Sequence, residues 1–194
     1  MGTLATLLTE ALAQSGRPDK TAVLTAAIKQ MVFNAHRRDF FPKDRVKAIV
    51  TPAAPAVTIT EALPTRWRKF SYIRPLNSSE ATLNKVFTRK DPGDVFSFEG
   101  YTVPEYYYVL GTNVFMESAD SIVKLEWCYY VNPDLSSPTA TTWVTENYEQ
   151  EIIDGALGYM YKKLGDTKTA REFIDLWINT HLPRILGENL VESI

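Results

Sequence analysis

WCYYVNPDLSSPTATTWV, Trp127–Val144, joins three kinds of chain in one stretch. An alternating aromatic run stops at Asn132-Pro133, small polar residues with a second proline follow, and Trp143 opens a new segment. The run reads as a strand, because Val123, Leu125, Trp127, Tyr129 and Val131 recur at period two and predict one buried sheet face. Pro133 has no N–H to give a ladder, so the strand ends there. After Trp143 the apolar period becomes helical. The stretch is therefore expected to join a β module to a helical one, with Trp127, Tyr129 and Trp143 as anchors of the joint.

Towards the C-terminus, Tyr148, Ile152, Ala156, Leu157, Met160, Tyr161 and Leu164 form one helical stripe. Asn147 with Gln150 predicts its capped start, Glu149 and Glu151 suit the positive end of its dipole, and Lys162, Lys163 and Gly165 suit the other end. A last helix carries Ala170, Phe173, Trp177, His181 and Ile185 in register, with Thr169 and Glu172 as its box. Pro183 is expected to kink or end it, leaving LGENLVESI as a terminal arm.

At the other end of the chain, Leu4, Leu7, Leu8, Ala11 and Leu12 predict a helix capped by Thr3. SGRPD breaks it, Asp19 is placed to cap a second helix with Leu24, Ile28, Met31 and Ala35 on one stripe, and Pro42 stops that. Between the helical ends, VKAIV, VTIT and RWRKFSYI read as strands. Alternation in the last sets Trp67, Lys69 and Ser71 on one face, against Arg68, Phe70 and Tyr72. Residues 78–90 fit helix or strand, with Leu83, Val86 and Phe87 favouring a short helix. EYYYVL-GTN-VFMES reads as a hairpin with turn conformations at Gly111 and Asn113.

The order helices, strands, helices predicts an α+β fold. N- and C-terminal helical hairpins would form a bundle around an inserted antiparallel β-domain, with segments 1–43, 44–131 and 132–194. The 194 residues suffice for this, and 45% hydrophobic with 23% charged residues is globular composition. Cys128 is the single cysteine, which excludes an internal disulfide and fits a reducing compartment. The start, MGTLATLLTEALAQ, lacks the basic region and long apolar core of a signal peptide, and no apolar run reaches bilayer length. A soluble protein made in the cytoplasm, with no membrane partner, is expected.

Catalytic signatures are sparse. His36 and His181 adjoin no nucleophile motif, HExxH is absent, and the 9 glycines never form a phosphate loop. Glu149, Glu151, Asp91 and Asp94 fit helix starts and turns better than an acid–base pair. The expectation is a protein that is not an enzyme and carries no cofactor or metal. The net charge of −2 gives no general affinity for nucleic acid. Charge is nevertheless segregated: residues 45–90 hold nine basic side chains against Glu61 and Glu80, and residues 91–147 hold nine acidic ones against Lys124. Two readings are open. The blocks pair across strands within one domain, or they form a bipolar surface on which Arg66, Arg68 and Lys69 meet Glu105 and Glu117 of a neighbour. Tyr106, Tyr107 and Tyr108 point to a strand covered on both faces.

EYYYVLGTNVFM, then the aromatic pair Tyr129-Tyr130, the Pro/Ser/Thr crossing, Trp143, Thr145 or Asn147, and Gly155-Ala156-Leu157 together resemble the head-to-tail adaptor proteins of tailed bacteriophages. Leu63-Pro64 is similar to that family's Leu-Pro strand start, whereas Arg66-Trp67 depart from its acidic–aromatic pair. The resemblance covers about half of the chain. It implies a structural virion protein of the neck, assembled in the host cytoplasm as a dodecameric ring under the portal. Such a ring extends the DNA channel and receives tail or nozzle proteins, without sequence-specific DNA binding. It also implies a portal-docking arm, for which Leu186, Leu190 and Ile194 are the candidates. Rival readings are another neck protein such as a tail terminator, a small DNA-binding module using Arg66, Trp67, Arg68 and Tyr72, and a carboxylate hydrolase using Glu149 or Asp154.

Overall fold

Thr3 and Thr6 cap the first helix reciprocally: the Thr6 N–H donates to Thr3 Oγ1 at 3.1 Å and the Thr3 N–H to Thr6 Oγ1 at 2.8 Å. In the computed structural model, which describes residues 2–83, 85–95 and 105–190, this helix, α1, runs Leu4–Ser15 and ends on Gly16 in the left-handed region (φ 62°). A 3₁₀ turn at Pro18–Lys20 leads into α2, Thr21–Arg38. Asp19 does not cap α2; its carboxylate lies 3.0 Å from Arg17 and 2.8 Å from Lys20, since an adjacent cation outbids a backbone N–H. A second 3₁₀ turn, Pro42–Asp44, closes this part of the chain.

The fold is α+β with helices at both ends, and the chain divides into two compact units: residues 1–44 with 132–194, and residues 45–131. Asp44 belongs with the helices, one residue beyond the expected boundary.

In the β unit, β1 (Arg45–Val50), β7 (Lys124–Val131) and β3 (Trp67–Leu76) form one sheet in the order β1-β7-β3. β2 (Ala56–Ala62), β6 (Asn113–Ile122), β5 (Tyr106–Leu110) and β4 (Thr88–Arg89) form the second, in the order β2-β6-β5-β4, with a short helix α3 at Pro92–Val95. Both sheets feed one core, in which Phe70, Ile73, Leu125, Trp127 and Tyr129 meet Ile59, Tyr107, Val114 and Met116. The expected β7 face is present from Leu125 to Val131. Val123 falls between strands and is exposed instead.

Alternation in β3 fails at two register shifts, between Trp67 and Lys69 and between Phe70 and Tyr72. As a result Trp67 and Phe70 share the core, ring centroids 5.4 Å apart, and Tyr72 turns to the other face. Residues 78–90 form no helix among those described. Thr82 bridges Leu76, the Phe87 N–H donates to the Ile73 carbonyl at 2.8 Å, and β4 runs parallel to β5. Open ladder groups on β3 and burial of Phe87 outweigh a weak helical pattern rich in Ser and Asn. The β-domain is thus mixed rather than wholly antiparallel. Between β5 and β6, Gly111 alone takes positive φ (62°), as a II′ turn requires, while Asn113 already belongs to β6.

The helical unit resumes with α4 (Trp143–Asn147), capped by a Thr142/Thr145 box, while the following helix, where Asn147/Gln150 was expected as the cap, starts without a side-chain cap. Asn147 turns its amide back to the Trp143 carbonyl, 2.8 Å. α5 (Glu149–Lys163) follows, with Glu149 and Glu151 in its first turn, Lys162 and Lys163 in its last, and Gly165 at φ 81° after it. Of the expected α5 stripe, residues 148–160 are buried, whereas Leu164 is exposed. α6 (Thr167–Leu176) is capped by Asp166, which accepts from the Thr169 N–H; Thr169 and Glu172 do not form the box. The helix then widens into a π turn over Trp177–His181, where the Leu182 N–H reaches the Trp177 carbonyl, and continues as α7 (Leu182–Leu190). Pro183 enters just after the wider turn, so it does not end the helix. Leu186–Leu190 are therefore helix rather than a separate arm, and residues 191–194 lie outside the described residues.

One core joins the two ends of the chain. Leu7, Leu24, Ile28 and Val32 pack with Ile152, Ala156, Met160 and Ile185. Gly155 and Gly158 let α5 approach its neighbours. A Cβ on the first would lie 2.9 Å from Met31 Sδ and 3.0 Å from the Trp177 ring, and one on the second 2.9 Å from Phe173 Cβ.

Candidate functional site

At the end of α2, His36 and Asp44 are both buried, with Nδ1 and Oδ1 2.8 Å apart. Trp143 Nε1 donates to the same Asp44 oxygen at 2.7 Å, across 99 residues of sequence. The Trp143 ring meets the rings of Phe41, His36 and Tyr148 edge-on and lies under the Lys43 ammonium at 5.6 Å. Arg37, the next residue of α2, donates from Nε to Asn132 Oδ1 at 3.3 Å. Consecutive residues of α2 thus hold both points where the chain leaves and re-enters the helical unit.

Trp143 is an anchor of the helical unit, whereas Trp127 and Tyr129 belong to the core of the β unit; the three expected anchors share no cluster. Asp44, the residue that fixes Trp143, carries no local signal in the sequence.

A second polar group ties α7 to α5. His181 Nε2 lies 2.9 Å from Asp154 Oδ2, and Gln150 donates to the other Asp154 oxygen at 2.7 Å. Arg184 reaches Glu151 at 2.9 Å and Glu188 at 2.8 Å, and the Tyr148 hydroxyl donates to Glu188 at 2.8 Å. The Arg184 hydrogen bond, then that of Tyr148, holds the Glu188 carboxyl below its ordinary range. Ile185 is fully buried beneath these groups, and Leu186 is half-buried. Of the candidate docking arm, only Leu186 is thus placed with its side chain; Leu190 ends α7 and Ile194 lies outside the described residues. Both oxygens of Asp154 are engaged, and Glu149 is exposed.

On the β unit, opposite charges meet within the chain. Arg74 forks onto both Glu126 oxygens at 3.0 and 2.9 Å, and Tyr72 donates its hydroxyl to Oε1. These bonds, that of Tyr72 first, draw the Glu126 carboxyl below its ordinary range; burial, then the Glu126 bond, pushes the Tyr72 phenol up to about 12. Lys85 pairs with Glu105 at 2.8 Å and Asp120 at 2.7 Å, and Lys124 with Glu80 at 2.8 Å. Of the candidate inter-subunit residues, Glu105 is buried on Lys85, and Glu117 receives the Tyr106 hydroxyl. Arg66 (φ 62°, in the turn before β3) and Lys69 are exposed, and Arg68 is half-buried. A nucleic-acid platform of Trp67 and Tyr72 is not assembled, since the first lies in the core and the second faces Glu126.

Tyr107 points into the core. Tyr106 and Tyr108 take the opposite face, where Tyr108 stacks on Phe115 at 4.9 Å, beside exposed Thr58 and Thr60. Among the described residues no group of three or more His, Cys, Asp or Glu is placed to hold a metal ion, and no helix is long and apolar enough to cross a membrane. Comparison with family models and with curated proteins finds no match to this chain.

Proposed function

We propose that this protein is a structural neck component of a tailed bacteriophage, a head-to-tail adaptor acting as a dodecameric ring between portal and tail or nozzle proteins. What supports the reading is that three elements of the resemblance, Trp143, Gly155 and the Tyr106–Tyr108 strand, have a scaffold task. Trp143 seats the chain on Asp44 as it returns from the crossing. Gly155, of the Gly-Ala-Leu triplet, lets Met31 and Trp177 close on α5. The Tyr106–Tyr108 strand fills the β core with one tyrosine and lays two on an outer face. Of these, the crossing that ends on Trp143 carries the reading, because it links the β unit to the Gly-Ala-Leu helix in the order that the family has.

The function is assembly rather than chemistry: a ring closes through heterologous contacts and a terminal helix meets the portal. Electron microscopy of the purified chain mixed with the portal ring of the same phage tests this. A coaxial second ring of twelve copies is expected. A portal left bare at micromolar chain, with the chain itself monomeric, would refute the reading.

A further inference from the structure

Four strands lie at the borders of the two sheets, and they are treated unequally. β3 is covered along its outer side by its own chain, through the Leu83 N–H to Pro75 O at 3.3 Å, the Phe87 N–H to Ile73 O at 2.8 Å and the Thr82 bridge. β4 is only 2 residues long. β1 and β2, of 6 and 7 residues, have no strand on their outer sides among the described residues. Proteins blunt such edges with proline, charge or a covering loop. β1 carries charge at Arg45 and Lys47 and β2 at Glu61, but each also exposes a β-branched side chain, Ile49 at 52% and Val57 at 49% of its full surface.

The two edges are also complementary. β1 contributes Arg45 and Lys47 and no acid, while β2 contributes Glu61 and no base. Neither Arg45 nor Glu61 has an ion-pair partner among the described residues. An antiparallel register that sets Arg45 opposite Glu61 also sets Ile49 opposite Val57. This alignment pairs charge with charge at one end and apolar with apolar at the other, with Lys47 opposite Ile59 between them.

We infer that β1 of one copy pairs with β2 of the next, so that strand addition between unlike edges carries the subunit-to-subunit contact. This rests on the ring reading above and names the surface that closes it. Because the edges differ, the contact is heterologous and propagates head to tail, as a ring requires. Main-chain bonds give affinity, and Arg45 with Glu61 sets the register.

The Leu63 N–H donates to Thr112 O, so by alternation the Thr60 N–H points away from β6. Thr60→Pro therefore removes an outward donor and leaves the β2–β6 ladder intact. Native mass spectrometry of the full chain titrated onto the portal ring reads out assembly. For Thr60→Pro and for Arg45→Glu, half-assembly should need at least about tenfold more protein. The double variant Arg45→Glu with Glu61→Arg should return to within a few-fold of wild type. Val57→Lys serves as a second edge block on an exposed site should Thr60→Pro melt early. Edge variants that melt and assemble like wild type would overturn the inference while the ring reading stands. Wild-type chain that forms no ring removes both. Single copies bound to portal, with amides of 45–50 and 56–62 protected only there, would assign the edges to the portal and also overturn it.

Discussion

One Asp44 oxygen accepts from Trp143 Nε1 and lies 2.8 Å from His36 Nδ1. Replacing Trp143 by Phe keeps the edge-on ring contacts but leaves that carboxylate one donor short, which costs about 1–3 kcal/mol. Urea unfolding should show it as a lower midpoint with unchanged slope, and an unmoved midpoint would reject the role. Glu126 gives a pH prediction. Its folded pKa is depressed by Tyr72 and Arg74, so its contribution is present above the unfolded carboxyl pKa and is lost as pH falls through the folded value. Glu126→Gln should flatten the acid limb of β-unit stability, measured by urea midpoints stepped from neutral pH down into the acid range. Trp143 was legible as an anchor because it stands alone after a polar crossing. Its partner was not, since nothing in the sequence links positions 99 residues apart. Pairing of the basic and acidic blocks within one domain is one of the sequence readings, but the individual match of Lys85 with Glu105 is not legible there.

Helices and strands were readable where one face is buried at a clean period, as in α2, α5 and β7. The failures have a common cause in tertiary demand. Segment 78–90 had a helical pattern, yet β3 offered ladder groups and the core took Phe87. Pro183 signalled a break, yet a π turn absorbed it. Caps were misplaced at three of the helix starts because Asp19, Asn147 and Thr169 each had a nearer partner or a stronger rival. At this scale Gly158 makes the sharpest test. A methyl there would lie 2.9 Å from Phe173 Cβ and 3.2 Å from the Ile174 backbone nitrogen, so α5 and α6 must part. Gly158→Ala should destabilise the helical unit by about 1–3 kcal/mol, read by thermal denaturation followed by circular dichroism. A variant as stable as wild type would show that α6 gives way freely.

For the whole molecule, the division at 44/45 and 131/132 implies that each unit holds its own core. The chain leaves and re-enters the helical unit at points held by adjacent residues of α2. Within the β unit Arg45 pairs with Tyr130, so its ends are also close. Excising residues 45–131 and closing the gap with a short Gly/Ser linker should leave a folded helical unit with a cooperative melt; a molten product would show that the β unit is needed. Reversing Arg66, Arg68 and Lys69 to Glu tests the surface-charge reading of ring formation. Normal assembly at moderate salt would confine the role of these side chains to their own subunit.

The nesting of one unit inside the other also sets an order of events at the ribosome. The stripe of α2 that carries Leu24, Ile28 and Val32 is complete early, but its partners Ile152, Ala156 and Met160 lie on α5. Between the two, roughly a hundred residues must still be made, about 5–20 s at ordinary translation rates. During that interval the β segment can fold entirely, since all its strands are then out, while the nascent α1–α2 pair waits with an uncovered apolar face. That face stays uncovered until α5 emerges and Ile152, Ala156 and Met160 close over it.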